Sequence, residues 1–174
     1  MALYRGEGEP AHLLGYDVKT GKLVLDQALP GADGAWDMAY TSDGYLYIPG
    51  ASGFLFRHRP GANVVENLGM ALQGETYVWN LTEGKDGEIF GATYPGCRVF
   101  RYHPEKGFSD VGKGPLVSSE NYVRSLAFHR PSGLLYAGIG SHAHLIELNP
   151  VTGEKERYCP ISINPWSLFT DWSP

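Results

Sequence analysis

Between Ser118 and His144 the chain gathers side chains able to bind an anion and to move protons. Tyr122 and Arg124 follow Ser118-Ser119-Glu120-Asn121 in one segment, and Ser141-His142-Ala143-His144 forms the next polar loop. A guanidinium grips a carboxylate through paired hydrogen bonds. An imidazole or a phenol transfers protons when its surroundings tune it. Elimination from a uronic acid asks for a group to neutralise the carboxylate, a base for the C5 proton and an acid for the leaving oxygen. Arg124, His142 and Tyr122 would fill those roles in that order. Trp36, Trp79 and Trp166 stand where Arg124 stands when the chain is laid on itself, and Tyr77 and Tyr94 come from the unit before it. Rings of this kind stack on sugars, although a large residue at such a position also packs between structural units.

The remaining titratable residues form weaker patterns. A metal centre needs three or four converging ligands. His142 and His144 with Glu120 could supply them, but their spacing is not diagnostic, so no cofactor is expected and a divalent metal stays open. His144 has a twin at His12, which points to a structural hydrogen bond, whereas His142 replaces Pro10 and belongs to one unit alone. His58, His103 and His129 fall on outer strands or turns and are expected at the surface. Glu7, Asp33, Asp37 and Glu75 are expected to make the rest of the face acidic, which would not suit a polyanion. Cys97 and Cys159 are expected as reduced, partly buried thiols, being too few for a disulfide framework or a cysteine metal site. No glycine-rich phosphate loop or nucleophile elbow is present.

Composition narrows the classes. Hydrophobic residues make up 43% and charged residues 19% of the 174, a balance that builds a core and excludes a disordered chain. A net charge of −5 without any basic run argues against a nucleic-acid partner. No apolar stretch approaches a membrane span and residues 1–20 lack a signal-peptide core, so a soluble chain is expected, cytoplasmic rather than secreted.

The elements that must position these residues are short strands. The 23 glycines and 12 prolines punctuate the chain closely, and no segment sustains a helical period. Self-comparison then shows a repeat. AHLLGYD (11–17) lies on AHLIELN (143–149), with GFLFRHRP (53–60) and CRVFRYHP (97–104) between them, in steps of 42, 44 and 46 residues. A second series begins at Trp36, Trp79, Arg124 and Trp166. Its first three members enter an apolar strand, turn at Asp43-Gly44, Asp86-Gly87 or Ser132-Gly133, and return. A third and a fourth strand follow in each unit. Four strands in about 40–45 residues is the signature of a propeller blade, so the chain is expected to be an all-β propeller of four four-stranded antiparallel blades.

The expected boundaries within one domain, 1–174, are 3–28 plus 163–172 for the first blade, then 35–69, 78–112 and 123–160. The strand at Trp166 would complete the first blade and close a four-bladed ring. Alternatively the chain is half of a larger ring, eight-bladed or truncated, completed by self-association or by further sequence. Loops 28–36, 69–79, 112–124 and 160–166 enter the first strands, and loops 6–12, 49–53, 93–97 and 139–144 join second to third strands. All eight converge on one face, which carries the candidate residues.

The turn YDVKTGK (16–22), echoed by LNPVTGE (148–154), resembles corners of bacterial repeat propellers of the streptogramin-lyase, NHL, quinoprotein-like and propeller polysaccharide-lyase groups. Thr20-Gly21 is followed by Lys22-Leu23-Val24 without an early Trp, so the likeness does not extend to quinone binding. The resemblance implies a ligand-binding propeller of lyase-like ancestry. Its ligand is expected to be a carbohydrate or a carboxylate-bearing small molecule, held by Trp36, Trp79, Trp166, Tyr77, Tyr94 and Glu120 around Arg124. Two alternatives stay open: a lyase or hydrolase acting on a uronic-acid sugar or lactone, and a half-propeller that assembles with a second copy and has no activity.

Overall fold

A computed structural model describes residues 2–3 and 8–157, and every regular element among them is a β-strand. The first sheet contains β1 (Ala2–Leu3), β2 (Ala11–Tyr16) and β3 (Leu23–Leu29). The second contains β4 (Ala39–Tyr40), β5 (Leu46–Pro49), β6 (Phe54–His58) and β7 (Val65–Met70). The third contains β8 (Tyr77–Glu83), β9 (Ile89–Tyr94), β10 (Val99–His103) and β11 (Gly107–Asp110). The fourth contains β12 (Val123–His129), β13 (Leu134–Ile139), β14 (His144–Leu148) and β15 (Lys155–Arg157). Strand order follows the chain in every sheet and all neighbours are antiparallel. The fold is therefore the all-β propeller that the repeat predicts. The first sheet shows three strands, and the segment 163–172 expected to complete it lies outside the described residues, as do Trp166 and Cys159.

Alternating apolar residues bind each sheet to the next. On β13, Leu135, Ala137 and Ile139 point into a core shared with Phe90, Ala92 and Val99 of the third sheet. Tyr47 and Leu55 of the second sheet meet Val78, Ile89 and Phe100 of the third. Leu13 and Leu29 of the first meet Ile48 and Phe56 of the second. Sheet packing thus runs in sequence order, β3 on β7, β4 and β5 on β8, β8 and β9 on β12, and the described sheets do not close into a ring.

Polar side chains tie the first strands together along their edge. Asp37 Oδ2 accepts hydrogen bonds from Asn80 Nδ2 at 2.9 Å and from the Leu81 N–H at 2.8 Å. Asn80 Oδ1 in turn accepts the Leu126 N–H at 2.8 Å. β4, β8 and β12 therefore lie side by side at the axial edge, and the residues just before Asp37, Asn80 and Ser125 are Trp36, Trp79 and Arg124.

Three expectations change. His58 is buried, with its Nδ1 3.0 Å from the Val64 carbonyl oxygen, because it occupies the inward position that Tyr102 and Leu148 fill in later sheets. Cys97 is fully rather than partly buried, and burial pushes its thiol pKa up. Asp37 and Glu75 do not make the face acidic: Asp37 serves the strand relay, and Glu75 is buried with Arg98 and the Gly96 N–H.

Candidate functional site

Entry loops and inter-strand loops meet at one end of the sheets. The Thr76 N–H donates to the Tyr94 carbonyl, Gly140 N–H to Tyr122, Cys97 N–H to Asn121, and Leu116 N–H to Cys97. One repeat position at the end of the loop into the third strand adopts a left-handed backbone in three units, with φ of 79° at Gly53, 52° at Cys97 and 54° at Ala143. At Gly53 no side chain fits, since a Cβ would lie 2.2 Å from the Glu75 carbonyl oxygen. These bends turn the loops inward and bring separate blades' side chains together.

Five of the expected residues form one platform. The Trp36 and Trp79 ring centroids are 5.3 Å apart, and Tyr77 stacks on Trp79 at 5.7 Å with 16° between planes. Tyr94 continues the row 5.8 Å from Tyr77. The Arg124 guanidinium carbon lies 5.0 Å from the Trp79 ring centroid. Arg124 is exposed, and among the described residues no carboxylate reaches ion-pair distance of it. Trp36 is 60% exposed, so the apolar row opens to solvent. Aromatic and cation–π contacts each contribute about 0.5–1.5 kcal/mol, which orients the guanidinium without neutralising it.

Beside the platform, Tyr122, Arg124, Ser125, Gly138, His144 and Leu145 line a concavity of about 650 Å³. Behind it lies a buried acid. Glu120 has a side chain only 2% exposed, with its Oε1 2.5 Å from His142 Nδ1 and 3.3 Å from His144 Nε2. The hydrogen bond with His142 holds the Glu120 carboxyl below its usual pKa, against the opposing effect of desolvation. His142 is 74% exposed and its other ring nitrogen is free to face solvent, whereas His144 is 10% exposed and neither of its ring nitrogens has a hydrogen-bond partner.

The structure therefore joins Trp36, Trp79, Tyr77, Tyr94 and Arg124 in one group, and Glu120, His142 and His144 in a second that meets it across Tyr122 and the concavity. His144 differs from the expectation drawn from its twin. His12 pairs with Asp26 near the surface, while His144 faces the buried Glu120. A signal for this was present in the chain: Glu120-x-Tyr122-Val123 repeats Glu75-x-Tyr77-Val78 from the previous unit, so a loop glutamate is part of the pattern.

No protein-family model matches the chain, and no curated protein matches it in sequence. Solved structures do match in fold. A virginiamycin B lyase from Staphylococcus aureus superposes with a TM-score of 0.71 at 14% identity, over 87% of this chain and 50% of that one. A catalytically inactive form of that lyase with quinupristin gives 0.66 at 14% identity, over 93% and 60%. A putative gluconolactonase gives 0.58 at 19% identity, over 86% and 55%. The chain spans about half to three-fifths of the length of these propellers.

Proposed function

We propose that the chain binds a carbohydrate or another carboxylate-bearing small molecule on its axial loop face. Arg124 takes the carboxylate, and Trp79, Trp36 and Tyr77 stack on the body of the ligand. The observation that carries this reading is an exposed guanidinium, aligned over Trp79, with no acidic partner among the described residues. A structural arginine would be expected to spend its charge on a neighbour, as Arg98 does on Asp110 at 2.6 Å. Propellers of similar fold include a lyase and a putative gluconolactonase, so a small-molecule site on this scaffold has precedent. Calorimetric titration with an oligogalacturonate tests it. Arg124→Ala should weaken binding about 10- to 150-fold, the equivalent of about 1.5–3 kcal/mol for a hydrogen bond to a charged group. Arg124→Lys should recover only part, because an ammonium lacks the guanidinium fork. Absence of saturable binding, or equal affinity in the alanine variant, would remove the reading.

A lyase or lactone-hydrolase version of the same face is favoured by the contact of buried Glu120 with exposed His142, an orienting acid behind a candidate base. In that version His142→Ala abolishes product formation while leaving ligand affinity within a few-fold.

A second reading, self-association, rests on two positions of the repeat. Leu13, Leu55 and Val99 are 2%, 0% and 0% exposed beneath the following sheet, whereas the equivalent Leu145 is 37% exposed. Conversely, Tyr102 and Leu148 are 7% and 0% exposed, and the equivalent Tyr16 is 51% exposed. The open faces of the first and fourth sheets thus carry the two halves of the contact that already joins successive sheets. A second copy, head to tail, would fill both faces. Light scattering should then give about 38 kDa, twice the 19.1 kDa of one chain, and Leu145→Glu should return the protein to monomer. A monomeric wild type at concentrations of about 100 μM, a dissociation constant too weak for a stable dimer, would exclude the second copy as occupant.

A further inference from the structure

We propose that Glu120, His142 and His144 form a binding site for one divalent cation of the zinc type, with a coordination position left open toward solvent. Their donor atoms lie within 4.8 Å of one another. Two imidazoles and a carboxylate, with one position open, are a donor set that zinc takes in tetrahedral sites, at bonds of about 2.0–2.2 Å. Tetrahedral ligation at those lengths needs donor atoms about 3.3 Å apart, so a small adjustment of the exposed His142 ring suffices.

The strongest support is internal. The previous sheet carries the same buried glutamate, Glu75, and there the charge is met by fixed groups. Glu75 Oε2 accepts the Gly96 N–H at 2.9 Å, and Arg98 lies 3.7 Å from Oε1 while being clamped by Asp110 at 2.6 Å. In the next unit Gly96 becomes His142, Arg98 becomes His144, and Arg157 stands opposite Ile146 where Asp110 stands opposite Phe100. A permanent cation held by a carboxylate has been exchanged for two imidazoles, with a basic residue in the place of that carboxylate. The His142 backbone N–H still helps to hold Glu120 ionised, as the Gly96 N–H does for Glu75, but among the described residues no Arg or Lys takes the place of Arg98 beside it, which leaves room for a bound cation. Independently, the His144 ring is nine-tenths buried, contacts this carboxylate and has no hydrogen-bond partner on either nitrogen. An imidazole placed so is an unused donor, and neutral imidazole is a common zinc ligand.

His144 also lines the concavity shared with Arg124, but the cation site does not depend on the carboxylate-ligand reading. The chelator-dialysed protein is titrated with zinc chloride by calorimetry, and cobalt(II) is added in parallel to read its tetrahedral visible bands. Saturable binding of about one equivalent is expected, together with cobalt bands of tetrahedral intensity. His142→Ala, at an exposed position that threatens no core, should weaken zinc binding at least about 100-fold, the upper end of what losing a ligand's outer hydrogen-bond partner costs. His144→Ala should do the same. Arg124→Ala should leave zinc affinity unchanged, so failure of the ligand reading and failure of this one are separable. Absence of one-equivalent binding, or binding retained in both histidine variants, would overturn the proposal. Retention that disappears on Cys97→Ser would assign the metal to the thiol and overturn it equally.

Discussion

Asn80→Ala should destabilise the protein far more than a half-buried polar residue on a strand edge ordinarily would. Its amide joins three sheets: Nδ2 donates to Asp37 at 2.9 Å, and Oδ1 accepts the Leu126 N–H at 2.8 Å. Truncation leaves the Leu126 N–H without its partner next to a buried side chain, which costs about 1–3 kcal/mol. It also removes a charge-assisted bond to Asp37, worth about 1.5 kcal/mol at the low end of its range, because Asp37 keeps the Leu81 N–H. Together the loss is about 2.5–4.5 kcal/mol. Urea unfolding followed by far-ultraviolet circular dichroism should show a lower midpoint with an unchanged slope, since the surface exposed on unfolding hardly changes. In a double-mutant cycle with Asp37→Ala, the pair should couple by about 1 kcal/mol or more. Arg124→Ala is the contrasting case: it forfeits one exposed cation–π contact of about 0.5–1 kcal/mol. An Asn80→Ala loss below about 0.5 kcal/mol, or strict additivity with Asp37→Ala, would refute the relay as the link that aligns Trp36, Trp79 and Arg124.

Two further outcomes follow from local geometry. Burial works to raise the Asp43 pKa, but hydrogen bonds from the Thr41 hydroxyl, the Tyr45 N–H and the Tyr47 hydroxyl, with Arg57 beyond, hold it below its usual value. A carboxyl depressed in the folded state stabilises above its unfolded pKa of about 4 and loses that contribution as pH falls through the folded value. Asp43→Asn should therefore lower stability at pH 7 and flatten its decline on acidification, and an unchanged acid profile would contradict the assignment. Gly53→Ala should cost about 1–3 kcal/mol in thermal unfolding, from a φ of 79° and the Glu75 carbonyl lying in the way of a Cβ; a neutral change would show that the loop yields.

Much of the architecture could be read before the structure because the repeat carries it redundantly. The apolar alternation of the strands, the Asp-Gly turns and the corners all agree on one period. Asp17 receiving the Lys19 and Thr20 N–H groups, and Asn149 receiving those of Val151 and Thr152, are the same corner read twice. The aromatic row was likewise expected, since Trp36 and Trp79 share a repeat position that convergence brings together. What the chain alone concealed was partnership. His12 and His144 are equivalent in sequence, yet one meets Asp26 and the other Glu120, because the second partner comes from a loop rather than from the neighbouring strand. His58 is expected at the surface because it falls among the outer strands and turns, and its inward register is plain only beside Tyr102 and Leu148.

The proposed role of the Arg124–Trp79 platform is to hold the carboxylate of a ligand. A crystal structure of the chain with a bound oligogalacturonate tests it most directly. The expected result is a uronate carboxylate within hydrogen-bond distance of the Arg124 guanidinium, about 2.7–2.9 Å, with a sugar face lying against Trp36 or Trp79. A uronate bound elsewhere, with Arg124 still resting on Trp79 alone, would contradict it.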